Sequence, residues 1–235
     1  MNEYIQRFSV RQRIEHFTVM VLFLMLGLTG FAQKFFDAPW AVWTITMIGG
    51  IDRVRWLHRA AGITFTVFAI FHISIGLFMV LTRRSRPSMI ASRKDFLDAI
   101  TQLRYYLRIS DKPASFDRFD YRQKFEYWGM VLGGMLMIAT GFMLLYPVIV
   151  TRFLPGQFIP VARVAHSNEG LLAFLIVIIW HVFNAHLSPE AFPFDPSIFT
   201  GKVTREYMEK EHPLEYARIM GQTEEKQEAQ THEVP

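Results

Sequence analysis

Six of the eight histidines in this 235-residue chain, His16, His58, His72, His166, His181 and His186, lie within or at the ends of long apolar runs. An ionisable ring at membrane depth is costly and is normally retained for function. An interhelical hydrogen bond explains one such ring, but six together ask for more. His58 and His72 are 14 residues apart, which on a helix is roughly 40° in azimuth and ~21 Å along the axis. His166 and His181 are 15 apart, roughly 60° and ~22 Å. If both helices run in the same direction, His58 stands level with His166 and His72 with His181. Two bis-histidine sites follow, one near each membrane surface. An iron porphyrin between helices takes one imidazole from each side, and a bundle interior suits it. Gly62, Gly76 and Gly170 lie four residues after His58, His72 and His166, and Ala185 four after His181. That spacing places a small residue on the ligand's own face one turn away.

The elements that position these rings are four apolar runs long enough to span about 30 Å of hydrocarbon: Phe17–Phe36, His58–Leu81, Phe125–Val150 and His166–Leu187. The expected fold is all-α, an integral membrane four-helix bundle with haem between helices. Residues 1–187 form the cytochrome domain, with a loop at 82–124, and 188–235 a polar tail. The first run follows Arg7, Arg11 and Arg13 and has no small-residue cleavage site after it, so it is read as a retained helix. The 82–124 loop is rich in Arg and Lys, whereas the loop after the third run holds only Arg152 and Arg163. The positive-inside bias puts both termini and the long loop in the cytoplasm. Apolar residues at helical spacing from Asp95 to Leu107 suggest a surface-lying helix. Trp40, Trp43 and Trp56 are assigned to an interfacial external loop. Residues 224–235 look disordered, and no internal repeat is evident.

Composition narrows the chemistry. There is no cysteine, which excludes disulfides, iron–sulfur ligation and covalent haem attachment on this chain. Cations flanking membrane spans argue against nucleic-acid binding. The rival is a haem-free membrane anchor or a metal-transport subunit, but metal pathways usually set carboxylates, Cys or Met beside the histidines. Here the spans hold almost no carboxylate beyond Glu126 and Glu169. Arg53, Arg55 and Arg59 near the outer site, and Arg13, Arg83 and Arg84 near the inner one, are candidates for haem propionates.

Four segments carry a resemblance: Arg13-Ile14-Glu15-His16, Arg55-Trp56-Leu57-His58-Arg59-Ala60-Ala61-Gly62, Gln123-Lys124-Phe125-Glu126-Tyr127-Trp128 and His166-Ser167-Asn168-Glu169-Gly170. They resemble the cytochrome b (gamma) subunit of respiratory formate dehydrogenase. Its wider group includes the cytochromes b of nickel–iron hydrogenases and thiosulfate reductases. The resemblance covers about residues 5–215, including Gly201-Lys202-Val203 and His212-Pro213. It implies a di-haem, quinone-linked subunit of a respiratory complex in a bacterial-type inner membrane, not a complete enzyme alone. Its partner would be an iron–sulfur or multihaem cytochrome subunit. The resemblance assigns His58 and His166 to the outer haem b, and His16 and His181 to the inner. His16 thus competes with His72, the residue that spacing nominates beside His181. A quinone site near the start of span three is implied, where Asp120 stands in place of an expected Asn. Tyr121, Gln123 and His186 are further candidate contacts. His72 and the stretch Trp180–Pro189 look more like a subgroup in which a third haem would use His16 and His186.

Overall fold

The structure, a computed structural model, describes residues 3–84, 86–188 and 191–221. In chain order its elements are β1 (Tyr4–Gln6), α1 (Val10–Lys34), α2 (Pro39–Ile48), α3 (Ile51–Leu81), α4 (Arg93–Tyr106), α5 (Tyr121–Leu145), α6 (Pro147–Val150), α7 (Phe158–Leu175), α8 (Ser197–Thr200), β2 (Lys202–Thr204) and α9 (Arg205–Glu211). After α7 the helix continues through Ile176–His181 and Phe183–Leu187 with the wider i→i+5 bonding of a π-helix. Four helices are long and apolar enough to cross a membrane: Val10–Lys34, Ile51–Leu81, Tyr121–Leu145 and Phe158–Leu187. The chain is therefore an all-α membrane protein. Each helix starts before the apolar run read from the sequence, and α1 and α5 end at Lys34 and Leu145, short of Phe36 and Val150. The residues Trp40 and Trp43, expected in a loop, belong to α2, and Trp56 to α3. Proline at the first turn of α2 is favourable there because its missing N–H has no partner to lose.

The chain divides into two compact units. One is 10–85 with 129–195; the other is 1–9, 86–128 and 196–235. In the first, α1 packs along α3, α2 and α7. Phe23 stacks on Phe174 with ring centres 6.2 Å apart, and Phe31 meets Phe174 edge-on at 4.9 Å. Gly27 leaves room for that ring, since a Cβ there would lie 3.5 Å from Phe174. Between α2 and α3 the chain reverses through Gly49 and Gly50, both at positive φ (97° and 106°), a region that L side chains rarely adopt.

The second unit is polar and held by charge. β1 pairs antiparallel with β2, Ile5 opposite Val203; this strand pair was not foreseen in the sequence. Arg7, 3% exposed, forms an ion pair with Glu215. Glu215 also accepts from Arg118 at 2.7 Å, and Arg118 donates to the Arg7 carbonyl at 2.6 Å. His212 sits against Arg7 at 3.1 Å through Nε2 and against the Asp117 carbonyl at 2.7 Å through Nδ1. A carbonyl only accepts, so Nδ1 carries the proton and Nε2 accepts from Arg7. Helix α4 opens with a Ser92–Asp95 capping box. Asp95 also accepts from Lys124 at 2.7 Å. The N-terminal segment, residues 86–128 and residues 196–221 thus belong to one compact unit. The segment expected to be disordered, 224–235, lies outside the described residues.

Glu215 neutralises two arginines. Glu215→Ala should destabilise this unit by about 3–5 kcal/mol, because it strands a buried charge; thermal unfolding in detergent checks it. Burial, reinforced by the neighbouring Arg7 guanidinium, pushes the His212 imidazole down to about 4 from its ordinary 6.5. The unfolded chain therefore binds a proton that the folded unit refuses between those two values. The contribution is fully present above pH 6.5 and is lost as pH falls towards 4. His212→Gln should flatten that part of the profile of midpoint temperature against pH.

Candidate functional site

His58 on α3 and His166 on α7 face each other with ring centres 6.2 Å apart and planes at 81°. An imidazole nitrogen sits about 2 Å from a first-row metal ion, and its ring centre about 1.1 Å further. Two imidazoles on opposite sides of one ion therefore have centres about 6.2 Å apart. The observed spacing matches. Each ring is held alike: Thr29 Oγ1 lies 2.9 Å from His58 Nδ1, and Thr140 Oγ1 lies 3.0 Å from His166 Nδ1. The residue after each threonine is glycine. A Cβ on Gly30 would come within 3.2 Å of His58 Cε1, and a Cβ on Gly141 within 3.2 Å of His166 Cε1. The triplets Thr29-Gly30-Phe31 and Thr140-Gly141-Phe142 thus repeat one another on α1 and α5.

The second pair is His16 and His181, with ring centres 6.1 Å apart and planes at 34°. His181 closes the first π stretch. Each π turn takes in one extra residue, so 15 residues from His166 to His181 span what about 14 span from His58 to His72. The unequal spacings thus describe matched positions, and the 60° azimuth expected for an uninterrupted α-helix does not apply. His72, the other candidate for this site, turns Nδ1 to Glu15 Oε2 at 3.0 Å. Glu15 is buried and also accepts from Arg11 at 3.1 Å. The ring of His186 stacks on Phe194 at 4.4 Å, and its Nδ1 is buried without a hydrogen-bond partner, as is Arg13 Nε. Glycines around the rings leave space: a Cβ on Gly76 would meet nothing within 4 Å, and one on Gly62 only Leu26 at 4.0 Å. Among the described residues, no three His, Asp or Glu side chains cluster as a metal site.

Asp120, Tyr121 and Gln123 lie in the other unit. Asp120 is 5% exposed, so it is not a solvated loop charge. Its carboxylate accepts from the Gln123 N–H at 2.8 Å, and Gln123 Oε1 accepts from the Asp120 N–H at 3.1 Å. This reciprocal pair is a helix-opening box at the start of α5. Arg122 donates to the same carboxylate at 2.8 Å. Sequence reasoning missed this use of Asp120, although the spacing Asp-x-x-Gln carries the signal.

Four apolar spans that bring imidazoles together in facing pairs characterise the membrane cytochromes b. Residues 7–190 match the prokaryotic cytochrome b561 family, and the chain belongs to it. Haem b and a place in membrane electron transport come with that membership. The chain is also 22% identical, over 93% of its length and 93% of theirs, to the cytochrome b556 subunits of nitrate-inducible formate dehydrogenase from Escherichia coli K12 and Shigella flexneri.

Because Asn caps helices about as well as Asp, Asp120→Asn should leave α5 stable, whereas Asp120→Ala should cost about 1 kcal/mol. Hydrogen exchange at the first turn of α5 distinguishes the two.

Proposed function

We propose that this protein is the b-type cytochrome subunit of a respiratory oxidoreductase, passing electrons between a partner redox subunit and membrane quinone through two haems b. The observation that carries the reading is the pair of ring separations, 6.2 Å for His58–His166 and 6.1 Å for His16–His181, each the span of two imidazoles across one iron. When bound, haem iron supplies one-electron chemistry. His58 and His166 would hold the outer haem; His181, with His16, would hold the inner one. Arg13, three residues before His16, supports this: its buried Nε lacks a partner, as suits a guanidinium facing a propionate. His72 is the alternative inner ligand. Its Nδ1 meets the Glu15 carboxylate, the kind of acceptor that orients a metal-binding imidazole through its other nitrogen.

Likeness to a formate dehydrogenase subunit supports a separate redox partner, an iron–sulfur or multihaem cytochrome subunit, and a bacterial-type inner membrane. Residues 86–124, rich in Arg and Lys, fall in one unit with residues 3–9 and 196–221, which supports a cytoplasmic placement for all three. Asp120, Tyr121, Gln123 and His186 are the candidate quinone contacts. The orphan His186 Nδ1 would also suit a third haem.

Acid–acetone should extract all haem from the purified chain. His58→Ala and His166→Ala should each remove the same haem, and His181→Ala the other. His16→Ala or His72→Ala, whichever removes the haem lost with His181, names the inner ligand. Fewer than two haems in the folded wild type overturns the assignment, and three establishes the larger arrangement. Haem reduction by a quinol analogue that is equally fast in wild type, Asp120→Asn and Asp120→Ala would confine Asp120 to its cap.

A further inference from the structure

We propose that Thr29 and Thr140 are positioning residues that set the reduction potential of the outer haem by accepting the Nδ1 proton of both its ligands. This rests on the assignment of His58 and His166 to that haem. Each threonine has a single hydroxyl hydrogen. Thr29 Oγ1 lies 2.6 Å from the Met25 carbonyl, and Thr140 Oγ1 2.6 Å from the Leu136 carbonyl. Two oxygens approach so closely only with a hydrogen between them, and a carbonyl has none to give. The hydroxyl hydrogen is therefore committed to the helix in both cases. Towards His58 and His166 each threonine offers only lone pairs, so the imidazole must donate from Nδ1.

Both histidines are thus held in the tautomer whose bare nitrogen is Nε2, the atom available to iron. Gly30 and Gly141 complete the device. Either Cβ would push into the ring at 3.2 Å, so glycine lets the imidazole lie against the helix that carries its acceptor.

A consequence for potential follows. An acceptor at Nδ1 draws the proton away from the ring and makes Nε2 a stronger donor to iron. A stronger donor favours the ferric state, so the acceptor lowers the potential.

The test is a spectroscopic redox titration of the purified haem-loaded chain. Thr29→Val and Thr140→Val keep the shape of the side chain and delete the acceptor. Each should retain both haems and low-spin bis-imidazole absorption. Each should raise the midpoint of the haem that His58→Ala removes, by about a threefold change in the ferric-to-ferrous ratio, or about 30 mV at 59 mV per tenfold. The double variant should shift further, and Thr29→Ser and Thr140→Ser should titrate like wild type. If a valine variant does not accumulate, Thr29→Ala and Thr140→Ala give the same readout. Unchanged midpoints with both haems in place overturn this proposal alone, as do serine variants that shift as far as valine. A wild-type chain with no haem dependent on His58 overturns the ligand assignment and this proposal with it.

Discussion

Every polar atom placed at membrane depth must find a partner inside the protein, because hydrocarbon offers none. An imidazole brings two nitrogens under that rule. In this chain Nδ1 of His58, His166 and His72 is engaged by Thr29, Thr140 and Glu15 respectively. One nitrogen on each ring is thereby satisfied within the bundle. The glycines, the small residues beside the rings and the close packing of α1 on α3 follow from that constraint. The acceptor helix must approach to hydrogen-bonding distance, and a larger residue at Gly30 or Gly141 would hold it off.

The acceptors differ in charge. At the His58–His166 end they are neutral hydroxyls already committed to their own helix. His72 faces a carboxylate shared with Arg11. A hydrogen bond to a charged group is roughly twice as strong as a neutral one. The fold thus sets two electrostatic environments around its histidines, one built from the Thr-Gly-Phe triplets and the other from a buried carboxylate paired with an exposed arginine. The triplets give the two ligands of the first pair closely similar surroundings.

Much of this was legible in the residues. Long uncharged runs mark the spans, and the depth match of His58 with His166 follows from helix rise alone. At the other end spacing nominated His72 beside His181 and the resemblance nominated His16; the ring 6.1 Å from His181 is that of His16. The π stretch was invisible, since i→i+5 bonding leaves no distinct apolar period in a helix that is apolar all round. The capping role of Asp120 went unread because its partner, Gln123, acts through geometry rather than hydrophobic pattern. The β1–β2 pair escaped because three-residue strands carry no readable alternation, and their partners lie at opposite ends of the chain.

That strand pair imposes an order on biogenesis. Ile5 is made before all four spans and Val203 after them. At about 5–20 residues per second, roughly 10–40 s of translation separates them. Throughout that interval β1 has no neighbour, Arg7 has no Glu215, and all four spans must enter the bilayer. Closure then requires that β2 emerge on the same side as β1, which happens only after an even number of crossings. A chain that skipped one span would strand its two halves of the ion pair on opposite faces of the membrane. Docking of the two chain ends therefore works as a parity check on insertion, built into the polypeptide itself.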